Sequence, residues 1–167
     1  YLLTPATFHT QERNDDLFVA RFRQGTGELV YSARVGSTSR DAGQAVAVDA
    51  MGRATVVGTV GQNAQGFPTT PNAYDPVKSQ FDDAAVVFRL SPLGDQLEYS
   101  TYLEGTKGTE GYGVALAPSG AAVVTGFAKD GFPTTSGAYS SIFHGGTDVF
   151  VTRLDAQEHD AILAAVS

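Results

Sequence analysis

The sequence predicts an all-β fold built from repeated units of four short strands. Residues 111–126 repeat residues 43–58 at an offset of 68 positions, and each copy has two apolar runs around a short turn that contains a glycine. This pattern is typical of a β-hairpin. No segment keeps apolar residues at the 3.6-residue spacing of a helix, so the sequence predicts no long helix.

Three arginines align the other strands of the repeat. Arg21, Arg89 and Arg153 each lie near the end of an apolar run, and another apolar run follows each one after a short polar segment. These runs are the predicted strands c and d of three units: 16–22 and 29–35, 84–90 and 97–103, 148–154 and 161–166. The repeated hairpin supplies strands a and b of the last two units: 43–49 and 53–60, 111–117 and 121–128. The first unit therefore has strands c and d only.

Side-chain size favours the blades of a β-propeller. Strand d carries Tyr31, Tyr99 and Tyr102, and strand a has small residues on one face, as expected at the wide and narrow ends of a blade. The small residues of strand a are Ala45, Ala47, Gly113, Ala115 and Ala117. Strands b and c are apolar on both faces, which suits a sheet in the middle of a stack.

We therefore expect a segment of a β-propeller with about two and a half blades, each a four-stranded antiparallel sheet. Residues 1–35 would form a partial blade with the outer two strands, and residues 36–103 and 104–167 two complete blades of the same domain. A β-sandwich that contains a duplicated hairpin is the alternative. A closed propeller needs roughly four to eight blades. Two and a half blades cannot close such a ring, so we expect a segment of a longer propeller. The chain begins at Tyr1, without an initiator Met or a signal peptide, as expected of a mature product or an excised piece.

Five motifs follow one another along the second and third units. They are Tyr-Ser-Thr-Tyr-Leu at 99–103, Gly-x-Gly-x-Ala-x-Ala at 111–117, Ser-Gly-x-x-x-Val-Thr-Gly at 119–126, Phe-Pro-Thr-Thr-x-Gly-Ala-Tyr at 132–139 and Gly-Gly-x-Asp-x-Phe-Val-x-Arg-Leu at 145–154. In this order the chain resembles the bacterial seven-bladed β-propeller repeat, known as the SBBP repeat, over nearly its whole length. It departs from the pattern at Ala84, where the other units have Asp, and at Arg34, which replaces a strand-d tyrosine. The resemblance implies a secreted or surface-attached bacterial propeller, and no catalytic residues, because the shared motif is structural.

The composition excludes several classes of partner. The chain has 167 residues and a formal net charge of -7, and its 11 lysines and arginines are scattered. Nucleic acids and anionic membranes both require clustered cations, so neither is an expected partner. No apolar run approaches the roughly 18–20 residues of a membrane-spanning helix. The absence of cysteine excludes disulfides and thiolate metal sites.

Carboxylates precede strand c in each unit and form the first candidate site. The turns that carry these aspartates lie at 14–16, 82–83 and 147–148. Clustered carboxylates can bind Ca²⁺, but none of the three segments has the spacing of an EF-hand loop. The favoured interpretation is that each Asp accepts backbone N–H bonds in a turn. The sequence leaves open whether these turns bind calcium.

The recurrent arginines and the Phe-Pro-Thr-Thr loops form the second group of candidates. Arg21, Arg89 and Arg153 could form an anion-binding ring. Pairing with a carboxylate or carbonyl of the adjacent blade is favoured, because a guanidinium suits such partners. The loops at 67–74 and 132–139 could be recognition loops on a rigid scaffold. Their recurrent Phe and Tyr favour packing over the edge of the blade instead.

Two further sets of side chains are of types that can support chemistry. Three histidines lie in different units without metal-ligand spacing: His9, His144 and His159. Three acids lie near strand a: Asp41, Glu104 and Glu110. They could act as a general acid and a general base, but the favoured interpretation is that they are solvated charges on loops. We therefore expect no catalytic, cofactor-binding or metal-binding residues and no cofactor.

The expected function is a non-enzymatic extracellular or cell-surface scaffold or adhesion module of a bacterium. Its partners would be neighbouring blades of the same or another chain, and a protein or glycan ligand. One alternative is a carbohydrate-binding propeller, in which Tyr74, Tyr112 and Tyr139 would line a groove. The other is a fragment of a propeller hydrolase or lyase, which would need convergent acids or histidines in further blades. Neither the ligand nor the total number of blades follows from the sequence.

Overall fold

The computed structural model describes residues 7–8, 15–78 and 81–155, which form ten β-strands and no helix. The strands are β1 (Thr7–Phe8), β2 (Leu17–Phe22), β3 (Leu29–Val35), β4 (Asp41–Val48), β5 (Ala54–Val60), β6 (Ala84–Leu90), β7 (Leu97–Leu103), β8 (Thr109–Leu116), β9 (Ala122–Ala128) and β10 (Asp148–Leu154). The prediction of an all-β chain is confirmed. The ends of the strands β2 to β10 lie within two residues of the predicted ends. The predicted strand at 161–166 lies outside the described residues.

The strands form three sheets. The middle sheet has the order β4-β5-β6-β7, and its neighbouring strands are antiparallel, as predicted for one four-stranded unit. The C-terminal sheet has the order β10-β9-β8 and is also antiparallel. In the N-terminal sheet, with the order β1-β3-β2, the short strand β1 runs parallel to β3. This parallel pair was not predicted.

The middle sheet is covered on both faces. On one face it packs with Tyr31, Ala33 and Val35 of the N-terminal sheet in a single apolar core. On the other face, Val57 and Val87 of the middle sheet pack with the C-terminal sheet in a second core. All the residues of β6 are buried as a result, which confirms the prediction that strand c of this unit is apolar on two buried faces. The described residues thus form three layers, rather than the two of the sandwich alternative, and no closed ring.

The two repeated hairpins, β4–β5 and β8–β9, turn in the same way. Each turn contains a glycine with positive φ, Gly52 at 84° and Gly120 at 86°. This left-handed conformation is accessible to glycine without steric cost. In each turn the glycine N–H donates to a carbonyl three residues earlier, at 2.9 Å for Gly52 and 2.8 Å for Gly120. The sequence repeat is therefore a repeat of backbone conformation.

Each of these hairpins also contains a β-bulge in its first strand. The register shifts by one residue at Gln44 in β4 and at Tyr112 in β8. A glycine of the second strand lies close to each bulge. A β-carbon on Gly58 would lie 2.3 Å from a carbonyl oxygen of β4, and one on Gly126 would lie 2.0 Å from a carbonyl oxygen of β8. The bulge therefore requires glycine at both positions.

Candidate functional site

The recurrent arginines link neighbouring sheets. Arg21 Nη1 donates to the carbonyl oxygen of Pro92, in the turn between β6 and β7 of the middle sheet, at 2.7 Å. Arg89 Nη2 donates to the carbonyl oxygen of Gly120, in the turn between β8 and β9 of the C-terminal sheet, at 2.6 Å, and its Nε donates to Thr55 Oγ1 at 3.0 Å. Burial lowers the pKa of the Arg89 guanidinium. The prediction that these arginines pair with an adjacent unit is confirmed for Arg21 and Arg89.

The third arginine lies in a more exposed setting. The side chain of Arg153 is 56% exposed, and its Nε lies 2.9 Å from Asp155 Oδ2 in an ion pair. An ion pair this exposed contributes little to stability, typically below about 1 kcal/mol. The three arginines therefore share a position in the repeat but do not form an anion-binding ring in the described residues.

A main-chain hydrogen bond also repeats between sheets, next to the predicted carboxylate turns. The carbonyl oxygen of Asp15 accepts the N–H of Asp41 at 2.7 Å. The carbonyl oxygen of Asp83 likewise accepts the N–H of Thr109 at 2.9 Å. Each bond joins the segment before strand c of one unit to the first strand of the next. Sequence reasoning missed this role of the turns, since it depends on the backbone alone.

The carboxylates of these turns bind protein groups. Asp148 Oδ2 accepts the backbone N–H of His144 at 2.8 Å, and Asp82 Oδ2 accepts that of Gly108 at 3.3 Å. Backbone N–H bonds were predicted for both. Asp16 instead forms an ion pair with Arg34. The three carboxylates therefore act within three separate local networks.

No metal centre is assembled in the part of the chain that the structure describes. There, no group of three or more His, Asp or Glu side chains is placed to hold a metal ion. His144 lies beside Asp148, with 3.7 Å between Nδ1 and Oδ2. His9 and His159 lie outside the described residues. Among the described residues there is no helix that is long and apolar enough to cross a membrane.

The first Phe-Pro-Thr-Thr loop packs against the middle sheet, as predicted. Phe67 is buried, with its ring centroid 6.2 Å from that of Phe88 and 5.8 Å from that of Tyr102. The loop is also tied to β7, because the N–H of Thr70 donates to the carbonyl oxygen of Ser100 at 3.1 Å. In the second such loop, Phe132 stacks on Phe150 with 4.3 Å between ring centroids. The phenylalanines of both loops are therefore packing residues.

The tyrosines of the two loops are exposed, which corrects the prediction that they pack. Tyr74 is 59% exposed and Tyr139 is fully exposed. The carbohydrate-binding alternative requires these residues and Tyr112 to line one groove. Tyr139 lines a groove of about 690 Å³ beside β10, but neither Tyr74 nor Tyr112 lines it. Tyr112 lies elsewhere and pairs with Phe127, with 5.3 Å between ring centroids. The three tyrosines therefore do not form one aromatic groove.

The acids near strand a are not all solvated, which corrects a second prediction. Asp41 is 4% exposed and Glu104 is 7% exposed. Glu110 is the outermost of the three, and its Oε2 accepts a hydrogen bond from the Tyr112 hydroxyl at 2.5 Å. The acids were predicted to be solvated because they lie outside the apolar runs. Their burial follows from the close approach of successive sheets at this end of strand a.

Asp41 is held in a protein environment that favours its neutral form. Burial raises its pKa to about 6, and the negative charge of Asp16 contributes to the increase. Ser37 opposes this effect through hydrogen bonds from its backbone N–H, at 2.5 Å, and its hydroxyl, at 2.9 Å. A carboxyl of this kind could donate a proton, but it lines neither of the two described grooves, and Asp16, the acid whose charge acts on it, is paired with Arg34. Its interactions favour a role in closing the loop between β3 and β4.

The described sheets leave two apolar surfaces open to solvent. The first is the outer face of the C-terminal sheet, where Phe127, Val149 and Val151 are 45%, 66% and 72% exposed. The second is a groove of about 480 Å³ between β2 of the N-terminal sheet and strands β4 and β5 of the middle sheet. Apolar surfaces of this kind on a folded protein commonly mark sites of interaction. They are the strongest candidates for function in this chain.

No protein-family profile matches the chain, and no curated protein matches it significantly. The resemblance to the SBBP repeat therefore stays a prediction. The described residues define an all-β repeat protein in which related sheets stack through their faces. Repeated arginine and backbone contacts link these sheets.

Proposed function

We propose that this chain is a segment of a β-propeller that serves as a non-enzymatic scaffold or adhesion module on the outside of a bacterial cell. The three sheets are consecutive blades, and the exposed face of the C-terminal sheet adjoins a further blade. The module acts through its faces and by lateral assembly with related units. The bacterial and extracellular assignments rest on the resemblance to the SBBP repeat.

The observation that carries the proposal is the burial of the middle sheet between two related sheets. Each interface combines a continuous apolar core with an arginine that donates to a carbonyl of the following sheet. Such an interface can be repeated by adding units, which is the principle of repeat architectures. Arg21, Arg89 and the carboxylates of the turns before strand c are used in structural contacts, which favours a scaffold over an enzyme.

The proposed propeller architecture is tested with a series of chains in which extra copies of residues 36–103 are inserted after residue 103. Small-angle X-ray scattering and ultracentrifugation should show a compact, monomeric particle with a central channel when the total is about seven blades. The thermal unfolding temperature should rise sharply at that length. A series with Arg89→Leu in each copy is the control and should close less well. A particle that lengthens with each copy would contradict the propeller.

The non-enzymatic role is tested on the closed chain of that series. We expect it to retain protein or glycan ligands on an array without altering them. Product analysis of a polysaccharide panel by mass spectrometry provides the second measurement. Sugar fragments that appear with time and in proportion to the protein would overturn the assignment as a scaffold and favour the hydrolase or lyase alternative.

A specific feature favours glycan binding as a second candidate function. Tyr112 and Phe127 are 43% and 45% exposed, their rings are tilted by 60° to each other, and they lie next to the carboxylate of Glu110. Aromatic faces beside a hydrogen-bonding carboxylate suit the apolar and hydroxyl surfaces of a sugar ring. Tyr112→Ala should then remove binding on a glycan array, whereas Tyr74→Ala, which removes an isolated exposed tyrosine, should not. Equal binding by both variants would exclude this site.

A further inference from the structure

The junctions between successive sheets use the same main-chain hydrogen bond but different side chains. In the first junction, between the N-terminal and middle sheets, the carbonyl oxygen of Asp15 accepts the N–H of Asp41. In the second junction, between the middle and C-terminal sheets, the carbonyl oxygen of Asp83 accepts the N–H of Thr109. Thr109 is the repeat equivalent of Asp41. The first junction therefore has a carboxyl group where the second has a hydroxyl group.

The side chain of the second junction is buried and fully hydrogen-bonded. Thr109 is 1% exposed, and its hydroxyl donates to the carbonyl oxygen of Leu103 at 2.7 Å. The same hydroxyl accepts the backbone N–H of Ala85 at 3.0 Å. Neither the hydroxyl nor these backbone groups gain or lose a proton near neutral pH. The contacts that Thr109 makes in the second junction are therefore insensitive to pH.

The first junction contains a second buried carboxylate, that of Asp16, which forms an ion pair with Arg34. The side chain of Asp16 is 2% exposed and that of Arg34 is 28% exposed. Among the described residues, Asp16 Oδ1 has no hydrogen-bond donor, and it lies against the backbone, since a β-carbon on Gly36 would be 2.4 Å from it. A further negative charge beside such an oxygen is unfavourable. The second junction has Ala84 at this position, which has no polar side chain.

Asp41 would supply that further charge. It is 4% exposed, and burial together with the charge of Asp16 raises its pKa to about 6. From the middle sheet Asp41 faces Tyr102, which stays neutral because burial raises its pKa as well. Arg40, beside it in the sequence, has an 80% exposed side chain that lies 3.9 Å from Asp15 Oδ2. The ionised junction would therefore hold two buried carboxylates with one partly buried cation, that of the Asp16 ion pair.

We infer that the first junction is a pH-sensitive switch, which is closed while Asp41 carries a proton and is loosened when Asp41 and Asp16 are both ionised. The closed junction binds the proton more tightly than the open one, in which the Asp41 carboxyl is solvated. This stabilisation is complete below about pH 4 and is lost as the pH rises through about 6. The N-terminal sheet is thus held more tightly in an acidic medium than at neutral pH. The inference goes beyond the proposed function and does not require the sheets to be propeller blades.

The test is amide hydrogen exchange of the whole chain, followed by nuclear magnetic resonance from pH 4.5 to pH 7.5. The two amides to compare are the N–H groups of Asp41 and Thr109, which make the repeated bond in the two junctions. After correction for the intrinsic exchange rates, the protection of Asp41 relative to Thr109 should fall about tenfold between pH 5 and pH 7. A constant ratio, or an equal loss of protection at both amides, would overturn the inference.

A pair of matched variants identifies the group responsible. Asp41→Asn keeps the size of the side chain and should make the protection ratio independent of pH. The control is Asp75→Asn, because Asp75 is a second carboxyl that acts on Tyr102 and whose pKa burial and Glu104 also raise. This control should keep the tenfold fall. The inference fails if Asp41→Asn keeps the fall or if Asp75→Asn removes it.

A measurement on the original chain covers the case in which Asp41→Asn does not fold. The chemical shift of the Asp41 carboxyl carbon reports its protonation directly and should titrate near pH 6 in step with the loss of protection. Titration near pH 4, the range of a solvated aspartate, would overturn the inference. These results are separable from the test of the propeller, since they use the single chain and the concatenated chains can close whether or not the first junction responds to pH.

Discussion

Strands β6 and β10 hold the same position of the repeat, in the middle and the C-terminal sheet, but differ in burial. All the residues of β6 are buried, whereas Val149 and Val151 of β10 are 66% and 72% exposed. Both strands have apolar residues on both faces. The difference lies in their neighbours, because β6 lies between two sheets and β10 has a described sheet on one face. An apolar sequence pattern therefore predicts the burial of a strand only when the sheets on both of its faces are known.

The largest effect is expected from the same substitution in the two strands. Val87→Asp places a carboxylate in a fully buried position between two sheets, so we expect a loss of more than about 4 kcal/mol and an unfolded chain. Val151→Asp, at the matching position of β10, should change the free energy of unfolding by less than about 0.5 kcal/mol. Circular dichroism and urea unfolding measure both. Similar losses in the two variants would mean that a partner covers β10.

A second pair of substitutions should affect the two sheets alike. Gly58→Ala and Gly126→Ala each place a methyl group against a backbone carbonyl oxygen, at 2.3 and 2.0 Å. Because the backbone must move, each should cost about 3 kcal/mol in urea unfolding. Gly113→Ala is the milder control, since its new methyl group meets only a threonine side chain, at 2.9 Å. A β-carbon on Gly126 would also meet the Phe150 ring at 2.7 Å, so this contact accounts for a somewhat larger loss at Gly126. A smaller loss at Gly126 than at Gly58 would show that the two bulges differ in strength.

The arginines test whether the contact between sheets contributes to stability. Arg89→Leu leaves the Gly120 carbonyl and the Thr55 hydroxyl without their donor and should lower the free energy of unfolding by about 2 kcal/mol. Arg153→Leu removes an exposed ion pair and should cost less than about 0.5 kcal/mol. Arg89→Lys should recover part of the loss, since an ammonium cannot reach both acceptors in the same way. Equal losses at Arg89 and Arg153 would contradict this assignment.

The smallest expected effect is the pH dependence of the free energy of unfolding that comes from Asp41. Asp41 begins β4, and the equivalent residue of the next repeat, at the start of β8, is Thr109. The pKa of Asp41 is raised from 3.8 to about 6 in the folded chain, so the folded state holds the proton more tightly. Its contribution to stability is therefore complete below about pH 4 and is lost as the pH rises through about 6. We expect this loss to be about 1–2 kcal/mol, less than the full shift of the pKa would give.

Asp41→Asn should remove this part of the pH dependence, as measured by urea unfolding between pH 3 and pH 7. The control is Asp15→Asn, which removes a carboxylate that is 87% exposed, and it should keep the slope of the original chain. If Asp41→Asn keeps the slope as well, another buried acid is responsible. Asp41→Thr, which copies the other repeat, should also remove the dependence.

The strand positions and the arginine contacts could be predicted because the repeat provides two independent copies of each signal. Glycine turns such as that at Gly120 mark where strands end, and the recurrence of Arg21 and Arg89 at one position of the repeat predicted that they pair with an adjacent unit. The parallel pairing of β1 could not be predicted, since a two-residue strand has no periodicity.

The burial of Asp41 and Glu104 could not be predicted either, because it depends on how closely successive sheets approach. Their sequence context is that of a polar loop, and the residues that cover them come from other units. The same limit applies to the groove beside β2. Its walls come from segments that are distant in the sequence, and no sequence pattern predicts that they lie side by side. Local sequence patterns thus predict the strands, whereas the candidate surfaces are formed by the stacking of the sheets.

The β-bulges of β4 and β8 allow a side chain to vary while the backbone conformation stays the same. The extra residue of each bulge has no partner in the neighbouring strand. It is Gln44 in β4 and Tyr112 in β8, and the register around it is the same in both hairpins. Both side chains are exposed. A protein assembled from many such units would carry one exposed bulge side chain in each, so that single substitutions there would change its surface on an unchanged backbone.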